Sequence, residues 1–331
     1  MDVLLDVLGF SGKALVVFLT FTACVVVLFA RFGARQQGDR EDGRLKIRHL
    51  NRSLEAKVNG LRAAMLDRKA RRAAHKQEKA AEKHRVPKPR RVFVLDFKGD
   101  VMASRVESLR DEITALLGVA TKEDEVVLRL ESPGGAAHSY GLAASQLARL
   151  RSASIPLTVC VDRVAASGGY MMACVADKVV AAPFAIVGSI GVAAPLPNVH
   201  RLLDKLGVDF ENATAGQYKR TVSPFAAVDP EGRQKFQDQI EEVHTLFKRF
   251  VGEHRPGLDI EAVATGEAWP ALRAVELGLV NELATSDDYL VRQLDRADIW
   301  EIKLDKPEGL RKRVVGSLQE ALTVLRPEAW G

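Results

Sequence analysis

The chain has 331 residues, 47% hydrophobic and 27% charged. That balance can bury a sizeable core and excludes a wholly disordered or collagen-like protein. The net charge of +5 averages three unlike segments: −1 over residues 1–30, +13 over 31–91 and −7 over 92–331. Three cysteines (Cys24, Cys160, Cys174) are too few and too scattered for a disulfide framework or a zinc site, and the seven histidines show no ligand spacing, so neither a metal nor another cofactor is expected.

In chain order, the first predicted element is a membrane span. Residues Ala14–Ala30 (ALVVFLTFTACVVVLFA) carry no charge. As a helix they cover roughly 26 Å at about 1.5 Å per residue, just enough for a bilayer core. A cleavable signal peptide is the competing reading, but a basic leader is missing and no small-residue cleavage site follows. In the basic segment, Ile47, Leu50, Leu54, Val58, Leu61 and Met65 recur at spacings of three and four, which predicts one apolar stripe on a helix that could pair as a short coiled coil. Residues 67–91 then lose almost every large apolar side chain and read as a solvated helix and linker. Their charge suits anionic lipid headgroups. No aromatic residue is interleaved for base stacking, so nucleic acid is not an expected partner.

From Val92 the pattern becomes β-branched runs separated by amphipathic stretches, which predicts an α/β domain of repeated βα units around a largely parallel sheet. The strand candidates are residues 92–97, 125–131, 155–162 and 177–183. Helices are expected from a Ser104/Glu107 capping box with Val106, Leu109, Ile113 and Leu116 on one face, over roughly 137–151, and over 230–254 with Phe236, Ile240, Val243, Phe247 and Phe250 aligned. The predicted divisions are a membrane anchor (1–30), a basic helical stalk and linker (31–91), an α/β domain (92–304) and an amphipathic C-terminal tail (305–331).

Two glycine-bearing turns follow predicted strands, where sites collect in open parallel sheets. In Glu131-Ser132-Pro133-Gly134-Gly135, glycines leave backbone N–H groups free to face an oxyanion, although an ordinary tight turn has the same composition. In Ala165-Ala166-Ser167-Gly168-Gly169-Tyr170, a hydroxyl stands at a strand-to-helix junction, like a nucleophile elbow without its usual motif. Serine is also a common helix cap. A nucleophilic serine needs a base. His138, just past the first turn, and Lys219, in Ala215-Gly216-Gln217-Tyr218-Lys219-Arg220, are the candidates. A free lysine titrates near 10.4, so a lysine base requires burial or a neighbouring cation such as Arg220.

The strings LRLESPGG (128–135), VAASGGYMMACVADKVVAAPFAIVGSIGV (164–192) and TAGQYKR (214–220), in this order, resemble the signal peptide peptidase A family of membrane-bound serine proteases, and within it the SohB branch. The resemblance runs over nearly the whole chain. It implies a ClpP/crotonase-like fold and a Ser–Lys dyad: Ser167 as nucleophile, Lys219 as general base, and Ser189 as the hydroxyl that positions the lysine. The implied oxyanion hole uses main-chain N–H groups of Gly135 first and Gly134 second, together with Gly168. It also implies a peptide or membrane-protein substrate, a single-pass anchor in the cell (inner) membrane, and a homo-oligomer in which neighbouring subunits can share the dyad. One departure is Gly266-Glu267-Ala268-Trp269-Pro270-Ala271-Leu272, where relatives commonly have a glycine soon after the aromatic residue. The family's protease domain lies on the extracytoplasmic side, whereas +13 just after the span predicts the cytoplasmic side. A catalytically silent scaffold of the same fold and a crotonase-type acyl-CoA enzyme are the competing functions.

Overall fold

The four strands expected from β-branched runs form, and they lie parallel because crossover connections separate them; among the described residues the fold adds six further strands. The structure is a computed structural model and describes residues 43–83 and 86–305. One compact unit comprises residues 46–303; of a second, formed by residues 1–45 and 304–331, residues 43–45 and 304–305 are described. The predicted span Ala14–Ala30 and all of the predicted tail beyond Asp305 lie outside the described residues. Among the described residues, no helix is long and apolar enough to cross a membrane.

The strands are β1 (Arg44–His49), β2 (Arg90–Lys98), β3 (Glu125–Glu131), β4 (Leu157–Val161), β5 (Val164–Ala166), β6 (Lys178–Ala181), β7 (Ile186–Gly188), β8 (Ala268–Pro270), β9 (Glu282–Leu283) and β10 (Ala297–Asp305). Seven form one sheet in the order β1-β10-β2-β3-β4-β6-β9, with every pair from β10 to β9 parallel. Its centre is covered on both faces: all five residues of β4 and five of the seven of β3 are buried. β4 (LTVCV) matches this with an almost unbroken apolar run, whereas in β3 the buried Glu125 is held by hydrogen bonds from Arg90, Thr158 and Tyr289. Val92, Val94, Val127, Cys160, Val180 and Ile299 form the core of one face, each buried aliphatic contributing about 1.5–3 kcal/mol. Helices Val106–Leu117 and Ala137–Ser152 pack on each other, and the latter also packs on the short helix Gly168–Ala173.

Two local expectations are corrected. The Ser104/Glu107 capping box does not form: the helix starts at Val106 without a side-chain cap, and the Ser104 hydroxyl donates instead to Asp100 Oδ2 at 2.6 Å. Asp100 precedes the helix and offers a charged acceptor, which outcompetes a backbone N–H. The apolar stripe from Ile47 to Met65 is likewise not one helix. Ile47 lies in β1, and the helix Leu50–Ala64 begins after it. Asn51, buried at 1% exposure, anchors that helix, donating to Ala297 O at 3.0 Å and accepting from the Ile299 N–H at 2.7 Å. A second helix, Arg68–Lys83, follows, capped by Asp67 Oδ1 on the Ala70 N–H, and Asn59 donates to Glu78 between the two helices.

What positions the site is the way β5 leaves the large sheet. Past Asp162 the chain turns out of β4 and pairs with β7, which pairs antiparallel with β8. β5 stays stitched to the end of β3 through a bridge: the Ser132 N–H donates to Val164 O at 2.8 Å, and the Ala166 N–H to Ser132 O at 3.0 Å. The two glycine turns, with glycine pairs 34 residues apart in sequence, are thereby held side by side.

Candidate active site

Ser167 sits between β5 and the helix Gly168–Ala173 with φ 53° and ψ −120°, a backbone that non-glycine residues adopt at a cost of about 1–3 kcal/mol. The conformation is held because the Ser167 N–H donates to Gly188 O at 2.8 Å. The side chain is half-buried, so a substrate can reach it. Gly168 begins its helix, so its N–H has no acceptor within that helix. It is buried against Tyr140, and any Cβ there would collide with the tyrosine ring.

The turn after β3 meets this elbow directly. Gly134, at φ 92°, is so close that a Cβ on it would stand 2.7 Å from Ser167 Cβ and 2.8 Å from Gly168 N. Its N–H donates to Ser132 Oγ at 3.1 Å and is therefore committed within the turn. The Ala136 N–H goes to Val101 O at 2.8 Å. Gly135 is exposed, and among the described residues its N–H has no acceptor. The two expected oxyanion donors in this turn are thus unlike: Gly135 offers a free N–H, Gly134 does not.

β5 and β7 pair in parallel with Ala166 opposite Gly188, so Ser167 and Ser189 leave their strands as neighbours. Ser189 also has positive φ (51°) and is half-buried. Its N–H donates to Glu267 O at 2.6 Å, and Trp269 packs against Gly188, where a Cβ would lie 2.8 Å from the ring. The segment flagged as a departure from the resemblance is therefore the strand that braces Ser189 from beneath.

Lys219 lies in a less ordered setting. It is exposed in the irregular stretch 207–229 between the helices His200–Lys205 and Pro230–His254, and among the described residues its amine makes no hydrogen bond or ion pair. Its loop is tethered through its neighbours: Gln217 and Tyr218 both donate to Glu231 Oε1, at 3.1 and 3.2 Å. His138 is exposed at the start of its helix. The structure brings together Ser167, Ser189, Gly134, Gly135 and Gly168; among the described residues neither candidate base is hydrogen-bonded to the serine hydroxyl.

Tyr140 escaped the sequence reading. The fully buried ring carries a hydroxyl 2.6 Å from Ser132 Oγ and 2.8 Å from Asp100 O. Burial pushes the Tyr140 hydroxyl above its ordinary pKa, with the Ser132 hydrogen bond acting in the opposite sense. A tyrosine inside a predicted amphipathic helix looks like a core residue, and nothing local in the sequence signals its polar partners.

The peptidase family S49 model matches residues 149–299, and the model of that family's N-terminal region matches residues 2–147. A probable protease SohB of Haemophilus influenzae is 46% identical over 302 residues, covering 87% of this chain and 86% of the relative. A probable protease SohB of Buchnera aphidicola from Acyrthosiphon pisum is 51% identical over 71% of this chain and 70% of its own length. Among solved structures, a membrane-bound stomatin-specific protease mutant in complex with a substrate peptide superposes over 69% of this chain and 97% of its own, with TM-score 0.44 at 12% identity. With both halves of the chain matched and close relatives covered over most of their length, the chain belongs to peptidase family S49 and is a peptide hydrolase.

Proposed function

We propose that the chain is a membrane-anchored serine endopeptidase with a ClpP/crotonase-like catalytic domain, acting on signal-type or membrane-derived peptides through a Ser167–Lys219 dyad. The observation that supports this reading is the strained Ser167 elbow packed against the Gly134-Gly135 turn, with the Gly135 and Gly168 N–H groups unpaired among the described residues, as an oxyanion hole requires. In the first step Lys219 takes the proton of Ser167 Oγ, which attacks the peptide carbonyl carbon. The oxyanion accepts from the Gly135 and Gly168 N–H groups. Lys219 then returns the proton to the departing amine as the C–N bond breaks, leaving an ester on Ser167. Water, giving its proton to Lys219, attacks that ester, and collapse releases the acid and restores Ser167. Ser189, placed beside Ser167 by the β5–β7 register, holds the lysine amine in line.

A lysine base needs burial, because desolvation favours its neutral form. The exposed loop of one chain supplies none, so a homo-oligomer completes the site, a neighbouring copy covering the 207–229 segment or contributing its own Lys219. The surface supports this: the helix His200–Lys205 buries none of its residues, and Leu202, Leu206, Val208 and Phe210 are exposed, as is Phe184 at 81%. Large apolar side chains exposed in this number are what an association surface presents. The anchor at Ala14–Ala30 places the protein in the cell membrane, and cysteine accessibility at either end of the chain reports the side.

The test is peptide hydrolysis by the detergent-solubilised full chain and by Ser167→Ala and Lys219→Ala. Each variant alone is expected to be inactive. Mixing the two inactive variants before assembly restores part of the activity if the dyad is shared between subunits. Undiminished cleavage by either single variant sinks the dyad.

A further inference from the structure

The hydrogens around Ser132 can be assigned without ambiguity. Asp100 O is a carbonyl and can only accept, so the single Tyr140 hydroxyl hydrogen is donated to it at 2.8 Å. The 2.6 Å contact between Tyr140 Oη and Ser132 Oγ must then be a donation from Ser132. With its own hydrogen spent, Ser132 Oγ accepts from the Gly134 N–H at 3.1 Å. A one-directional chain results, from the Gly134 N–H through the Ser132 and Tyr140 hydroxyls to Asp100 O, and each bond polarises the next. Three glycines make room for it. A Cβ on Gly99 would collide with Tyr140 Oη and stand 2.6 Å from Ser132 Oγ, one on Gly169 would stand 2.5 Å from Ser132 O, and one on Gly168 would collide with the Tyr140 ring.

Tyr140 therefore touches both sides of the oxyanion site. Its ring is the wall behind Gly168, and its hydroxyl holds the Gly134 end of the other turn through Ser132. Resting on the proposed Ser167 chemistry, we infer that Tyr140 and Ser132 are positioning residues that set the separation and direction of the Gly135 and Gly168 N–H donors. By using up the Gly134 N–H, the chain also leaves Gly135 as the unpaired donor of this turn for the substrate carbonyl. The energetic logic is preorganisation: donors aimed in advance at the developing oxyanion need no reorganisation during reaction.

The experiment uses the solubilised full chain, a fluorogenic peptide amide cleaved by it, the peptide aldehyde of the same sequence, and the corresponding non-electrophilic peptide. Tyr140→Phe keeps the ring against Gly168 and removes the hydroxyl; Ser132→Ala removes the middle of the chain. For each, kcat is expected to fall about tenfold to a hundredfold, less than the 10²–10³ of a deleted donor, with KM changed less than about threefold. Aldehyde affinity falls in step with kcat/KM, because its adduct carries the oxyanion, while the non-electrophilic peptide binds as before. The double variant is expected to be no worse than the poorer single variant, since both break one chain. Unchanged kcat in both variants overturns the inference, and so does equal weakening of the aldehyde and the non-electrophilic peptide. If Tyr140→Phe does not fold, Ser132→Ala carries the same comparison. Hydrolysis surviving in Ser167→Ala would instead overturn the nucleophile assignment, so the two failures are told apart.

Discussion

The regions carrying the two halves of the proposed dyad are built on opposite principles. Around Ser167 the backbone is fixed from several directions: its own N–H is bound to Gly188 O, the turn after β3 is bridged to β5, and Gly134, Gly168 and Gly169 leave no room for a side chain. Around Lys219 the stretch 207–229 is irregular and largely exposed, and Glu231 is the acceptor that tethers the residues just before the lysine. The difference teaches that one chain fixes the backbone around Ser167, where a shift of an ångström is costly, while the segment carrying Lys219 is left exposed; on the proposed mechanism the base is then ordered by a neighbouring copy. On the proposed dyad, such a site is expected to be inert in an isolated copy and to become active on assembly.

That contrast can be broken first where the expected effect is largest. Ser167→Ala and Lys219→Ala are each expected to lower kcat by on the order of 10⁴ to 10⁶-fold, read as initial rates on a peptide substrate. The regions should nonetheless differ in their dependence on assembly: activity per chain from Lys219 should fall on dilution, while labelling of Ser167 by a small fluorophosphonate should fall less. Next in size, Gly168→Ala and Gly134→Ala press a methyl group into Tyr140 and Ser167 respectively. Both should lose about 10²-fold or more in kcat, as for a lost oxyanion donor, and Gly134→Ala should also lose about 1–3 kcal/mol of stability in urea titration because its φ is positive. Glu231→Gln weakens only the exposed tether to Gln217 and Tyr218. Its expected effect is about threefold or less on kcat/KM at low salt, consistent with the small value of exposed polar contacts, and none on serine labelling.

A remote control sharpens the comparison by leaving activity alone. At the foot of the sheet, Asp124 accepts from Arg91 at 2.6 Å and from Thr121, and its side chain is 3% exposed. Burial raises its carboxyl pKa, but the hydrogen bonds from Arg91 and Thr121 outweigh that and hold it below the ordinary value. A depressed carboxylate stabilises the fold above its unfolded pKa, near 3.9, and that stabilisation is lost as pH falls through the folded value. Asp124→Asn is therefore expected to cost about 1.5–3 kcal/mol at pH 7, read by urea unfolding, with the gap closing as pH falls below the unfolded carboxylate value and through the folded one, and kcat at neutral pH unchanged.

Much of this architecture was legible because its signals are local. β3 spans the expected 125–131 and the long helix the expected 230–254, where periodicity is sustained and Asp229 and Pro230 mark the start. The stripe from Ile47 was misread because short apolar runs satisfy both helix and strand periods, and burial of Asn51 against β10 decides between them. The Ser104 cap failed because a capping box records only residue spacing, whereas Asp100 was close enough in space to claim the hydroxyl.

The sequence by itself determined the βα order, the two glycine turns, the serine at a strand-to-helix junction and, through long motifs, the peptidase family. Each is written in residues adjacent along the chain. Only the tertiary structure decided that the turns touch, that Ser167 and Ser189 leave paired strands together, that the Gly134 N–H is spent while that of Gly135 is free, and that Tyr140 stands behind both. Those outcomes depend on pairings between β3 and β5, on the β5–β7 register and on hydrogen bonds spanning up to 40 residues. Contacts of that range are selected by the packing of the whole sheet and leave no periodic mark in the chain.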